Sequence, residues 1–150
     1  MLSFEDARQL VITQSKSHAG IRPTLDLSIS DSLGHILAEE IRSDRDYPPF
    51  NRSTRDGYAV RATEATPASS LRCVGEIKAG DTVSQSLERG TCIQIMTGAA
   101  VPPGADAVVM IEFTRRTDDA ITFDRSTQPG QNIVPRGSEA HAADLVLQPG

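Results

Sequence analysis

Three short segments of this 150-residue chain gather the residue types that do chemistry. The first, Pro49-Phe50-Asn51-Arg52-Ser53-Thr54-Arg55-Asp56-Gly57-Tyr58-Ala59-Val60, packs arginines, an aspartate, hydroxyls and an asparagine around a turn that enters a strand. A strand fixes what its entrance loop displays, and many binding sites are built that way. Arg52 and Arg55 offer forked donors to an oxyanion such as phosphate, with Asp56 able to hold an arginine or a hydrated cation. By composition alone the same segment is also an ordinary solvated hairpin entrance. In the second segment, Ile95-Met96-Thr97-Gly98-Ala99-Ala100-Val101-Pro102-Pro103-Gly104-Ala105-Asp106, Thr97 brings a hydroxyl and an amide to a strand end. Gly98 there lets a ligand or another backbone come close. Read alone, this too is a plain strand with a proline-rich turn. The third holds Arg136, Glu139, His141 and Asp144, whose irregular spacing matches no metal-ligand motif and reads first as a surface polar cluster. His18 and His35 stand alone. No nucleophile elbow, phosphate-binding glycine loop or zinc helix motif is present.

The elements that must carry these segments change character along the chain. Ser3 followed by Asp6, with Phe4, Ala7, Leu10 and Val11 at helical spacing, predicts a helix over 4–16, ended by Gly20 and Pro23. Residues 24–30 alternate apolar and polar and predict a strand with Leu25, Leu27 and Ile29 on one face. Ser30-Asp31-Ser32 suits a capped turn, and 36–41 is apolar enough for a buried strand or helix. Tyr47-Pro48-Pro49-Phe50 breaks the composition, because a prolyl pair offers no amide donors. Beyond it, short apolar runs at 57–60, 71–77, 91–96, 107–111 and 120–123 alternate with turn residues, the rhythm of a small β domain dominated by hairpins and tight loops. Leu145-Val146-Leu147 before Pro149-Gly150 gives the chain an interrupted rather than a finished look.

Composition narrows the function. With 20 acidic against 15 basic residues, a formal charge of -5 and 4% aromatics, the chain lacks both the positive field and the stacking platforms of a general nucleic-acid binder. No apolar run approaches the roughly 20 residues that cross a bilayer, and the N-terminus lacks a leader pattern, so a soluble cytoplasmic protein is expected. Cys73 and Cys92 have neither metal-knuckle nor redox spacing and read as buried free thiols.

At the three segments the sequence resembles the molybdopterin molybdotransferases, the MoeA and gephyrin E-domain family of molybdenum cofactor biosynthesis, in order and over essentially all 150 residues. The first is similar to the family's Pro-x-Phe-Asp-x-Ser-x-x-Asp-Gly-Tyr-Ala-Val. The second, from Cys92 to Pro102, is similar to Ile-x-Ile-Met-Thr-Gly-Ala-x-x-Pro. Gly104-Ala105-Asp106-Ala107-Val108-Val109, Gly130-Gln131-Asn132-Ile133 and Arg136-Gly137 then follow. Two departures stand out. Asn51 replaces the first motif's Asp, and Ser138-Glu139 replaces the Glu-Asp pair after Arg-Gly.

The resemblance implies an α+β, mostly β chain: an elongated helical and extended N-terminal domain made of 1–45 and 132–150, with a small β domain inserted at 46–131. It implies the N-terminal part of an enzyme that inserts molybdate into adenylylated molybdopterin with release of AMP, assisted by Mg²⁺. Asp56, Thr97 and Glu139 are the implied catalytic residues, and Ser53, Arg55, Gly57, Gly98 and Arg136 the implied cofactor-binding ones; the metal ligands stay open. A homodimer is implied, with neither nucleic acid nor membrane as partner. The family's C-terminal molybdopterin-binding domain is absent, so the chain is expected to be inactive alone. The alternative is a non-catalytic dimerisation or regulatory scaffold of the same fold.

Overall fold

The computed structural model describes residues 2–17 and 23–150. The chain falls into two compact units, Met1–Glu40 with Gln148–Gly150, and Ile41–Leu147.

In the first unit the expected helix forms as α1 (Phe4–Ser17). Ser3 caps it: its Oγ accepts the Asp6 amide at 3.1 Å and donates to the Asp6 carboxylate at 2.6 Å, satisfying one of the amides a helix start leaves unpaired. The helix end expected at Gly20, and His18, lie outside the described residues. The strand expected over 24–30 does not form. Leu25, Leu27 and Ile29 are exposed, Ile29 at 94%, and no neighbouring strand pairs with them. Alternation alone makes a strand only where a ladder partner and a covered face exist. A turn does close here, but Ser28 rather than Ser30 caps it, accepting the Asp31 amide. Neither helix nor buried strand forms over 36–40.

The second unit is built on a six-stranded sheet. Its strands are β3 (Gly57–Val60), β4 (Ser70–Ile77), β5 (Thr91–Ile95), β6 (Ala107–Met110), β7 (Thr114–Thr117) and β8 (Ala120–Phe123), in the order β6-β3-β5-β4-β8-β7. Five of these match the apolar runs. The polar strand β7, Thr-Arg-Arg-Thr, carried no such run and forms because the turn at Asp118, with φ 53°, folds it back onto β8. Hairpins are not the whole topology, since β4 and β5 run parallel and are joined by a crossover of residues 78–90 without a helix. Two short pairs complete the unit: β1 (Ile41–Arg42) with β10 (Leu145–Leu147), and β2 (Arg52–Ser53) with β9 (Ile133–Val134). Among the described residues the chain is thus mostly β with one α-helix.

Both sheet faces are covered, so β3 is buried along its whole length. One face carries Tyr58, Val60, Leu71, Cys92, Val109, Ile121 and Phe123. The other carries Ala59, Ile77, Ile93, Ile95 and Val108 beneath Leu87 and Ala99. A bulge between Cys73 and Glu76 sets the parity of β4: Cys73 faces Cys92 and Glu76 faces Gln94, three residues on one strand against two on the other. The extra residue turns Ile77 to the opposite face from Leu71, which plain alternation does not foresee. At Gly57 the backbone of β6 comes so close that an added Cβ would stand 1.9 Å from the Val109 carbonyl oxygen. That position admits only glycine.

Candidate functional site

The segment that begins at Tyr47 is the spine on which the other two are hung. On one side the turn after β5 lies along it: Gly98 N–H donates to the Ser53 carbonyl, Ser53 N–H to Ala99 and Val101 N–H to Asn51, at 2.8–2.9 Å. On the other side the third segment does the same, with Thr54 N–H donating to Asn132, Gly137 N–H to Pro48 and Glu139 N–H to Tyr47. Arg52 is therefore the middle of three antiparallel rungs, opposite Ala100 on one side and Val134 on the other. Backbone hydrogen bonds thus align segments that are far apart in sequence.

Within this frame Asp56 and Thr97 are held together. Asp56 Oδ1 accepts the Thr97 hydroxyl and the Thr97 amide, each at 2.7 Å. These two bonds, the hydroxyl first, hold the Asp56 carboxyl below the usual carboxylate range, because both donate to the charged form. Ser53 sits one turn earlier and is buried; its hydroxyl donates to the Arg55 carbonyl at 2.6 Å and accepts the Arg55 amide at 3.2 Å. Its polar atoms thus shape the turn that presents Arg55 and Asp56. Gly98, with φ 84°, turns the chain after Thr97 in a conformation that side chains rarely adopt. Gly57 is buried in the sheet under β6 and acts there through backbone fit. Arg55 is exposed, and its guanidinium meets no hydrogen-bond or ion-pair partner among the described residues.

A second polar group surrounds the third segment. Glu139 Oε1 accepts from the Arg52 guanidinium at 3.0 Å, an ion pair with both partners part-exposed. Arg136 Nε donates to Asp46 at 2.7 Å, and Asp46 also accepts the Ala142 amide at 3.0 Å. The Ala142 amide first, then Arg136, hold the Asp46 carboxyl below its ordinary value. Asn51 Oδ1 accepts the Arg136 amide at 2.8 Å, a bond an aspartate oxygen would accept equally, so the departure from the family's Asp keeps this contact. His141 and Asp144 bond each other locally, His141 N–H to Asp144 Oδ2 at 2.7 Å, and do not converge with Glu139 on a metal position. Sequence reasoning missed Asp46, which lies in none of the three motifs.

Among the described residues no group of three or more His, Cys, Asp or Glu side chains gathers to cage a metal. Asp56 nonetheless keeps Oδ2 without a partner among the described residues, and the Thr97 hydroxyl, its proton directed at Asp56, keeps lone pairs as acceptors. One carboxylate and one hydroxyl suit a cation such as Mg²⁺, which commonly completes its shell with phosphate oxygens and water.

A family model described as the MoeA N-terminal region, domains I and II, matches residues 2–150. The chain belongs to this family. Among its MoeA relatives, a molybdopterin molybdenumtransferase of Staphylococcus epidermidis is 37% identical over 140 residues, covering 90% of this chain and 33% of the relative. One of Staphylococcus aureus is 34% identical, covering 99% and 36%. Two crystal structures of the molybdopterin biosynthesis MoeA protein of Pyrococcus horikoshii superpose with TM-scores of 0.79 and 0.80 at 34% identity, covering 85% and 95% of this chain and 35% and 37% of theirs. The chain thus spans about a third of the length of the MoeA proteins it matches. The mostly β fold expected from the motifs is the fold of those MoeA structures.

Proposed function

We propose that this chain supplies the N-terminal part of a molybdopterin molybdotransferase, which inserts molybdate into adenylylated molybdopterin with release of AMP and is active only together with a C-terminal pterin-binding part. The observation that carries this reading is the Asp56–Thr97 pair, an ionised carboxylate with a free oxygen fixed beside an uncommitted Arg55. Arg55 donates to a phosphate or molybdate oxygen and holds the anion against the turn. Asp56 and Thr97 would hold Mg²⁺, which when bound neutralises charge on the phosphate and molybdate oxygens. Ser53 and Gly98 keep these groups in place, while Asp46 and Asn51 fix Arg136 and the third segment, placing Glu139 beside Arg52. Preorganised groups of this kind lower a barrier because they need no rearrangement as charge develops.

The reading keeps the division into 1–45 with 132–150 around an inserted 46–131. In support, the six-stranded sheet lies wholly inside the insert. It also includes a homodimer in the cytoplasm. Among the described residues no helix is long and apolar enough to cross a membrane.

The test mixes the purified chain with a C-terminal MoeA fragment and follows AMP release from adenylylated molybdopterin with molybdate and Mg²⁺. Release in the mixture only, abolished by Asp56→Asn and reduced by Thr97→Val, is the expected result. Release that both variants leave intact would transfer the chemistry to other residues. Binding to the fragment without any release would favour the scaffold.

A further inference from the structure

Outside the site, the seam between β4 and β5 brings together two groups whose separation in sequence hides them. Cys73 and Cys92 are directly registered partners across the parallel pair. Neighbouring strands lie about 4.7–4.9 Å apart, inside the roughly 4.4–6.8 Å between Cα atoms that a disulfide bridges. Both side chains lie on the same sheet face: Cys92 belongs to the cluster with Tyr58 and Val109, and Cys73 packs against that cluster. Both thiols are free.

We propose that Cys73 and Cys92 are a thiol oxidation site, Cys73 reacting with a peroxide and Cys92 closing an intramolecular disulfide across the β4–β5 seam.

The two thiols are unequal in the way such a pair requires. Cys92 is fully enclosed and beyond the reach of a solute oxidant, whereas Cys73 is only half-buried. Burial, and next the neighbouring Cys73, push the Cys92 thiol up to about 12, so it stays protonated and does not compete for the oxidant. Cys73 is also the last registered residue before the bulge that ends at Glu76. Gly75, within that bulge, is exposed, and its carbonyl accepts a hydrogen bond from the Cys73 thiol at 3.4 Å. The backbone next to Cys73 is thus free to adjust as the sulfurs close to bonding distance. Arg116, which donates to Gln94 and to the Asp118 carbonyl, acts against burial at the Cys92 thiol, but burial is the larger effect.

The chemistry balances without any group from the proposed active site. The Cys73 sulfur attacks one peroxide oxygen, the O–O bond breaks, and Cys73 sulfenic acid and one water form. The Cys92 sulfur then attacks the Cys73 sulfur, the S–O bond breaks, and the departing hydroxide leaves as water with the Cys92 proton. Two thiols and one hydrogen peroxide become one disulfide and two waters.

The experiment treats the chain with hydrogen peroxide, denatures it, alkylates it with iodoacetamide and reads it by mass spectrometry. The expected product is a monomer lighter by two hydrogen atoms, with neither cysteine alkylated and the 73 and 92 peptides linked; dithiothreitol restores both thiols. In Cys92→Ala, dimedone captures a Cys73 sulfenic acid that the native chain does not retain. Two alkylated cysteines after peroxide, Cys73 sulfinic acid in place of the disulfide, or a linkage only between chains would overturn the proposal. The native chain decides these outcomes even where the variant fails to fold.

Discussion

Asp56 Oδ1 receives two hydrogen bonds from Thr97, one from its hydroxyl and one from its amide, both at 2.7 Å. A single carboxylate oxygen thereby joins the end of β5 to the turn that opens β3. The bonds favour the ionised form, so the Asp56 carboxyl in the folded chain lies below its unfolded value of about 3.9. Its contribution to stability is then complete above about pH 3.9 and lost as pH falls through the lower, folded value. Urea midpoints of the native chain and of Asp56→Asn should therefore differ at pH 7 and converge toward pH 2. A gap that persists unchanged down the acid series would mean that the charge of Asp56 plays no part in it.

Gly57 offers a sharper structural test, because an added methyl would meet the Val109 carbonyl at 1.9 Å. The atoms it would meet are backbone atoms of Val109 and Met110 in the paired strand β6, not the movable end of a side chain. Gly57→Ala should cost about 3 kcal/mol or more by forcing β3 and β6 apart. Gly75→Ala, with its nearest neighbour 3.9 Å away in an exposed bulge, should stay within about 0.5 kcal/mol. Denaturant unfolding of the two variants side by side measures this contrast, and equal losses would refute the close-approach account.

These glycines also show what the sequence reveals and what it hides. Five of the six main strands were legible because each carries a short apolar run between turn residues, and α1 because Ser3 and Asp6 mark its start. The alternation at 24–30 misled, since a period of two says which residues share a face but not that any partner covers it. Strand β7 was missed for the opposite reason, being polar and held by its turn. The Asp56 and Thr97 motifs were visible as residue types, whereas their contact, and the tether from Asp46 to Arg136, depend on which segments lie alongside 47–54. The Cys73–Cys92 pairing is a matter of strand register, and the bulge after Cys73 has no mark in the residues that form it beyond Gly75.

Asp46 is the clasp of the third segment, and its two bonds rank differently. The Ala142 amide is the larger cause of its lowered carboxyl pKa and the Arg136 guanidinium the next. In an NMR titration the Asp46 carboxyl should titrate below about 3.9, and the Ala142 amide resonance should follow the same midpoint. Arg136→Gln should raise that midpoint only in part, because the amide bond remains. A full return to the ordinary carboxylate value in that variant would show that the guanidinium, not the backbone, holds the charge.

Arg55 separates function from folding most cleanly. It is exposed and its guanidinium has no partner among the described residues, whereas the turn beneath it is fixed by the buried Ser53 hydroxyl. Arg55→Ala should therefore leave stability within about 0.5 kcal/mol of the native chain. Anion binding should respond otherwise, because a hydrogen bond to a charged group contributes about 1.5–3 kcal/mol, or roughly a tenfold or larger change in Kd. AMP binding to the chain mixed with a C-terminal MoeA fragment, followed by calorimetry, should weaken by about that factor in Arg55→Ala. Arg55→Lys should recover part of it, since an ammonium restores the charge but not the forked donors. If Arg55→Ala binds AMP as tightly as the native chain, the anion is held elsewhere, and the proposed cation-and-phosphate site at Asp56 and Thr97 loses its anion-binding neighbour.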